Sequence, residues 1–193
     1  LILEAERPVI YAGGGILKAR AAEALAELVE LTGIHVVTTL MARGAFPDDH
    51  ELNLGMPGMH GNATAVTAMQ KADLLIALGS RFDDRITGKV DAFAQQAKVI
   101  HVDIDPAEQG KVRKPDVPIV GDARLVIEEI IAEIESLLAG GAMQADTGAW
   151  KSKVSGWQEQ FPMTYEQSQP GAALKPQYCI EQLRDLAPDK TIV

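Results

Sequence analysis

Short, wholly apolar runs alternate along this chain with longer amphipathic ones. Pro8 to Ala12 (Pro-Val-Ile-Tyr-Ala) reads as a buried strand ending at glycines. Lys18 to Leu31 reads as a helix: Ala21, Leu25, Leu28 and Thr32 share one face, and Arg20, Glu23, Glu27 and Glu30 the solvated other. Gly33 suits its stop. Ile34 to Thr38 is a β-branched strand, and Asn62 is placed to cap a helix running through Ala72. Leu74 to Leu78 is a second all-apolar strand, again ending at a glycine, Gly79. Lys98 to Asp103 and Val117 to Val120 complete a set of five. Asp122 then caps a helix whose stripe is Val126, Ile127, Ile130, Ile131, Ile134 and Leu138.

Apolar strands without polar alternation, separated by helices, predict an α/β fold. The expected sheet is doubly wound and mostly parallel, with helices on both faces. Ligands of such folds bind beyond the carboxyl ends of the strands. The residues with chemistry cluster there: Gly13-Gly14-Gly15, Thr39-Leu40-Met41, Gly79-Ser80-Arg81, Asp103-Ile104-Asp105 and Gly121-Asp122-Ala123. After Leu138 the pattern changes. Residues 139–175 read as a linker: a flexible Ala139–Gly148, a short helix carrying Trp150 and Trp157 on one face, and an extended Phe161–Lys175. Pro176 opens a further helix through Leu186. Lys190-Thr191-Ile192-Val193 reads as a strand beginning. With Leu1 rather than Met at the start, the expectation is a segment of a longer polypeptide.

Composition narrows the function classes. A formal charge of −9 excludes a nucleic-acid binder, which needs clustered Lys and Arg, and disfavours an anionic membrane surface. No run of about 20 apolar residues exists to span a bilayer. The single cysteine, Cys179, excludes an intrachain disulfide framework and suits a reducing, cytoplasmic compartment.

The strand–glycine–helix order around Gly13, Gly14 and Gly15 predicts an anion site, with backbone N–H groups and a helix dipole facing the ligand. It departs from the dinucleotide fingerprint: Lys18 stands where the third glycine belongs, and Val37-Thr38-Thr39 where the ribose-binding acid belongs. A tight turn with no ligand is the alternative. Arg81 and Arg85, flanking Phe82-Asp83-Asp84, offer planar forks for phosphate, or a local Arg–Asp network on a surface loop. In Gly58-Met59-His60-Gly61 the glycines permit close backbone approach, Met59 offers a soft surface for a ring, and His60 a hydrogen bond. No Cys or second His stands near enough for a metal site. Met41 suits either a ligand-facing position or the core. Asp103 and Asp105 suit ribose hydroxyls, acid–base work, or only a turn at Asp105-Pro106.

The stretches "AGGG", "MPGMHGNATA" (56–65), "DLLIALGSRFDDRITGK" (73–89) and "HVDIDPAEQGKVRKPDVPIVGDA" (101–123) occur in that order. Together they resemble the central domain of the acetohydroxyacid synthase (acetolactate synthase) catalytic subunits, a family of thiamin-diphosphate enzymes. The resemblance covers residues 1–138. It implies a central FAD-binding domain there, a linker over 139–175, and over 176–193 the truncated start of a carboxyl-terminal thiamin-diphosphate-binding domain. It places FAD along Gly13, Gly14, Gly15, Thr39, Leu40, Met41, Gly58, Met59, His60, Gly61, Gly79, Ser80, Arg81, Asp83, Arg85, Asp103, Ile104, Asp105, Gly121, Asp122 and Ala123, with no net redox in the main reaction.

That reaction condenses two pyruvates, or pyruvate and 2-ketobutyrate, with loss of carbon dioxide, in branched-chain amino-acid synthesis. The implied assembly is a homodimer or homotetramer of catalytic subunits with a small regulatory subunit. Thiamin diphosphate and Mg²⁺ belong to the intact enzyme. Their Gly-Asp-Gly motif with a later Asn pair is missing here, because no such pair follows Gly121-Asp122-Ala123. The family's catalytic glutamate lies in another domain. This chain is therefore expected to hold no catalytic and no metal-binding residue and to be inactive alone. The alternatives are the central domain of another thiamin-diphosphate enzyme and a free-standing flavin or NAD redox module.

Overall fold

A computed structural model describes residues 1–188 and Thr191. The first apolar run forms β1 (Pro8–Ala12), followed by α1 (Gly15–Lys18) and α2 (Ala22–Thr32). Next come β2 (His35–Thr38), α3 (Ala63–Lys71), β3 (Leu74–Leu78) and the single turn α4 (Asp84–Thr87). Then β4 (Lys98–Asp103), β5 (Val117–Val120), α5 (Ala123–Ala139), α6 (Gly148–Gln160) and α7 (Pro176–Leu186) complete the chain.

All strand pairs are parallel and the sheet order is β2-β1-β3-β4-β5. The chain moves from β1 outward to β2, then returns to the other side of β1 to lay down β3. The winding direction thus reverses between β1 and β3, where a crevice opens at the carboxyl ends. Alternate residues face opposite layers. Ile10, Ala12, Ile76, Leu78 and Val102 pack with Ile16 of α1, Leu25 and Leu28 of α2, and Ile127 and Ile131 of α5. Val9, Tyr11, Leu75, Ala77 and Val99 pack with Ala65 and Met69 of α3 and with Trp150 and Val154 of α6. The β2 edge is covered by residues 52–55: Val36 N donates to Leu52 O and Thr38 N to Gly55 O, at 2.8 and 3.0 Å.

Several boundaries differ from the expectation. The helix expected from Lys18 to Leu31 is interrupted near its start: Lys18 ends the one-turn α1, and α2 begins only at Ala22. Ala21 N donates to Ile16 O and Arg20 N to Leu17 O, while Arg20 takes a left-handed φ of 53°. This is a Schellman stop with arginine where glycine is usual, so the periodicity runs through it unmarked. The stripe Ala21, Leu25, Leu28 and Thr32 is nonetheless buried, and Gly33 is the left-handed cap of α2. β2 starts at His35. Asn62 precedes α3, but its side chain makes no capping bond. Asp122 does cap α5, accepting from the N–H groups of Arg124 and Leu125 at 3.0 and 3.3 Å.

The chain divides into two compact units, Leu1–Phe161 and Pro162–Val193. Residues 139–161, expected within the linker, belong to the first. Gln144 Nε2 donates to Thr32 O, Ala145 N donates to Leu3 O, and Trp150 is buried with its ring edge-on to Trp157. In the second unit α7 buries no residue, and the Tyr165 hydroxyl donates to Glu181. The strand expected from Lys190 lies, Thr191 apart, outside the described residues. Among those residues no helix is long and apolar enough to cross a membrane.

His35 on β2 is buried beneath Lys151 of α6. Burial, then the lysine's charge, push its pKa from 6.5 to about 4. Between those values the unfolded chain binds the extra proton and the folded chain does not. The stability is present above pH 6.5 and is lost as pH falls towards 4. Roughly 3 kcal/mol is involved. Urea midpoints measured from pH 7 to 4 are expected to fall, and His35→Gln is expected to flatten most of that fall.

Candidate functional site

A cleft of about 1020 Å³ crosses the carboxyl ends of all five strands. That lies at the upper end of the range that small-molecule and cofactor sites occupy. Of the residues that the resemblance places along FAD, only Gly61 does not line it. Gly61 instead closes the 56–62 turn by donating its N–H to Gly58 O at 3.0 Å.

At the end of β1 the three glycines have different jobs. Gly13 N donates to Leu78 O and Gly15 N to Gly79 O, both at 3.0 Å. A Cβ on Gly13 would overlap the Gly79 carbonyl oxygen, and one on Gly15 would fall 2.6 Å from Gly79 Cα. The backbone that approaches these two is thus the chain's own β3 terminus. The N–H groups of Gly13 and Gly15 are thus spent between the strand ends and not presented to the cleft, and α1 behind them is one turn long. At Gly14 a Cβ would meet only Met41, at 3.1 Å from its Cβ. Gly14 is therefore the glycine of the three at which an added methyl would crowd its neighbour without overlapping it.

After β2, Thr39 N donates to Ala12 O at 2.9 Å, so that amide is not presented to the cleft either. The Thr39 hydroxyl, however, is buried without a partner. Met41 is 73% exposed and Leu40 70%, which overturns the core reading of Met41. Met59 and Ile104, also on the cleft, are exposed to a similar degree. Four large apolar side chains thus stand open to solvent in one depression.

The end of β3 brings in the cations. Gly79 holds φ at +57° beside Gly15, and the chain turns through Ser80 and Arg81. Arg81 is exposed, and among the described residues its side chain is in no ion pair. Arg85 stands 3.5 Å from Asp83, an exposed pair that solvent screens. Asp83 also accepts the Arg85 N–H to cap α4. Hydrogen bonding with the Asp84 carboxyl, then with that N–H, holds the Asp83 carboxyl below its ordinary range. Asp84 does not line the cleft. The Ser80 hydroxyl is buried and donates to Tyr11 O at 2.9 Å, so it anchors the turn and has no proton left for a ligand.

The ends of β4 and β5 are acidic. β4 stops at Asp103, and Asp105 caps a short turn of helix, so the two carboxylates do not share a strand face. One oxygen of Asp103 accepts the Asp105 N–H, and one of Asp105 accepts the Ala107 N–H, both at 2.9 Å. Each keeps a second oxygen. Gly121 N donates to Asp103 O, and one Asp122 oxygen is occupied by the α5 cap. Among the described residues no group of three or more His, Cys, Asp or Glu is placed to hold a metal ion.

The cleft also takes in residues that the sequence did not single out as site residues. Met56 and Pro57 precede the glycine turn, Ile86 follows Arg85, and Glu108 pairs with Lys111 at 2.8 Å. Lys18, noted only as a misfit to the glycine pattern, reaches the same cleft. Tyr11 does too, and its signal was legible: a polar-tipped ring in an otherwise aliphatic strand, two residues before Gly13.

Residues 1–130 match the family model described as the thiamine pyrophosphate enzyme central domain. Over its whole length the chain is 55% identical to an acetolactate synthase large subunit of Mycobacterium tuberculosis, covering 31% of that protein. It is 54% identical over 98% of its length to the acetolactate synthase large subunit of Corynebacterium glutamicum, covering 30%. With acetolactate synthase 1, chloroplastic, of Zea mays, it shares 46% identity over its whole length and covers 29%. The chain thus spans less than a third of the length of these curated relatives. It belongs to the thiamine pyrophosphate enzyme family, and residues 1–130 are that family's central domain.

Proposed function

We propose that the cleft is an FAD site, and that the chain contributes this site to an acetolactate synthase catalytic subunit. The observation that carries the reading is the distribution of chemistry along the cleft. Exposed apolar side chains, Leu40, Met41, Met59 and Ile104, suit an aromatic ring system. Arg81 and Arg85 suit a diphosphate. The free oxygens of Asp103 and Asp105 suit ribose hydroxyls, and the unpartnered Thr39 hydroxyl suits a polar edge of the ligand. FAD has all four features in one molecule, and NAD lacks the large tricyclic ring. Bound there, FAD would supply a planar tricyclic ring, expected to undergo no net redox in the main reaction. The chain's own part is to bind, to orient, and to exclude water from that surface.

For the whole enzyme the proposal is condensation of two pyruvates, or of pyruvate with 2-ketobutyrate, with loss of carbon dioxide. It would act as a cytoplasmic homodimer or homotetramer with a small regulatory subunit. Thiamin diphosphate and Mg²⁺ would be held by residues outside this chain. Titration of the 193-residue chain with FAD, followed by flavin fluorescence and calorimetry, is expected to show saturable binding, tighter than that of NAD. No heat and no fluorescence change at high FAD, or tighter NAD binding, overturns the reading. The same chain given thiamin diphosphate, Mg²⁺ and pyruvate is expected to form no acetolactate in an acetoin assay. Turnover abolished by EDTA would show that catalytic groups lie within it.

A further inference from the structure

We propose that Tyr11, Ser80 and His101 form a buried three-bond clamp on the turn after β3, and act as positioning residues for the Arg81 guanidinium. The inference rests on the FAD reading above. Three strands supply the parts. From β1 the Tyr11 hydroxyl donates to Arg81 O at 3.1 Å. From the end of β3 the Ser80 hydroxyl donates to Tyr11 O at 2.9 Å. From β4 the His101 Nε2 lies 3.0 Å from Ser80 O. All three side chains are at least 98% buried.

The chemistry of the partners sets the protonation. A carbonyl oxygen can only accept, so His101 carries its proton on Nε2. Burial pushes the pKa of this histidine below its ordinary value, against the opposing pull of the Ser80 carbonyl, so the ring is neutral near pH 7. Burial raises the Tyr11 phenol, which therefore stays a donor at any working pH. The Phe82 ring locks the frame: its centroid is 5.8 Å from that of Tyr11 and 5.2 Å, edge-on, from that of His101.

The backbone of residues 80–81 is thus held from two neighbouring strands while the Arg81 side chain remains exposed. A long cation on a loose loop loses much of its interaction with a ligand to ordering entropy; one issuing from a fixed turn loses less. Nothing in this arrangement requires the three polar side chains for filling the core. Phenylalanine, alanine and leucine would occupy the same positions, so their polar atoms serve the turn.

Tyr11→Phe removes one hydroxyl and keeps the ring, so it tests the clamp without emptying the core. In the ligand-free chain, backbone order parameters of residues 80–82 are expected to fall in Tyr11→Phe, with the thermal midpoint reported alongside. FAD affinity is expected to fall about fivefold, the worth of one buried hydrogen bond. In an Arg81→Ala background the same substitution is expected to cost no further affinity. His101→Gln, which keeps an N–H at the Nε2 position, is expected to bind FAD like the parent, and His101→Leu to bind more weakly. Unchanged order parameters, or an equal loss of affinity with and without Arg81, overturn the clamp. A parent chain that takes up no FAD overturns the FAD reading instead, while the order parameters still decide on the clamp.

Discussion

Gly13→Ala is expected to destabilise the chain by about 3 kcal/mol or more and to abolish the cleft's ligand binding. The added methyl would overlap the Gly79 carbonyl oxygen and lie 2.5 Å from Ser80 Cβ. Both neighbours belong to a turn held by hydrogen bonds, so neither can swing aside as the tip of a flexible side chain would. Relief requires the ends of β1 and β3 to part. That stretches the Gly13 N to Leu78 O and Gly15 N to Gly79 O bonds and carries Arg81 away from its place. Overpacking typically costs about 1–3 kcal/mol, and fixed backbone on the far side puts this case at the upper end. Urea midpoints measure the first effect and FAD fluorescence the second. Gly14→Ala is the control. Its nearest neighbours are Met41 Cβ at 3.1 Å and Met41 O at 3.3 Å, contacts that a shift of a few tenths of an ångström relieves, and its backbone is ordinary right-handed helix, so its stability is expected to stay within about 1 kcal/mol of the parent. If Gly13→Ala is as stable as Gly14→Ala, the close approach of the two strand ends is wrong.

Arg81→Ala is expected to weaken FAD binding about ten- to a hundredfold and to leave the unfolding midpoint unchanged. The side chain is exposed and holds no ion pair among the described residues, so the fold does not depend on it. A hydrogen bond to a charged group contributes roughly 1.5–3 kcal/mol, which sets the factor. Arg81→Lys is expected to recover only part of the loss, because an ammonium cannot present two parallel donors to a phosphate. The salt dependence of FAD binding is expected to flatten in the alanine variant as one charge contact disappears. Unchanged affinity would move Arg81 out of the site and leave the exposed Arg85 as the cation of this turn.

The sequence by itself determined the fold class and the candidate surface, and for a common reason. A strand buried on both faces must be apolar throughout. β1 and β3, buried at every position, therefore announced their own limits, and the residues just past them were marked as ligand-facing without any knowledge of strand order. Asp122 was legible as a cap because capping is a contact between near neighbours in sequence. Stops that use an unusual residue were not legible: Arg20 takes a left-handed conformation where glycine is expected, so one periodic run hid the break near its start. The order β2-β1-β3-β4-β5, and with it the reversal that opens the crevice between β1 and β3, was decided only by packing between distant segments. So were the roles within the site. Gly13 and Gly15 answer to Gly79 rather than to a ligand, Ser80 spends its hydroxyl on Tyr11, and Trp150 draws 139–161 onto the first unit. Each of these joins residues tens of positions apart, and periodicity, which records only which face a residue occupies, carries no information about which partner waits there.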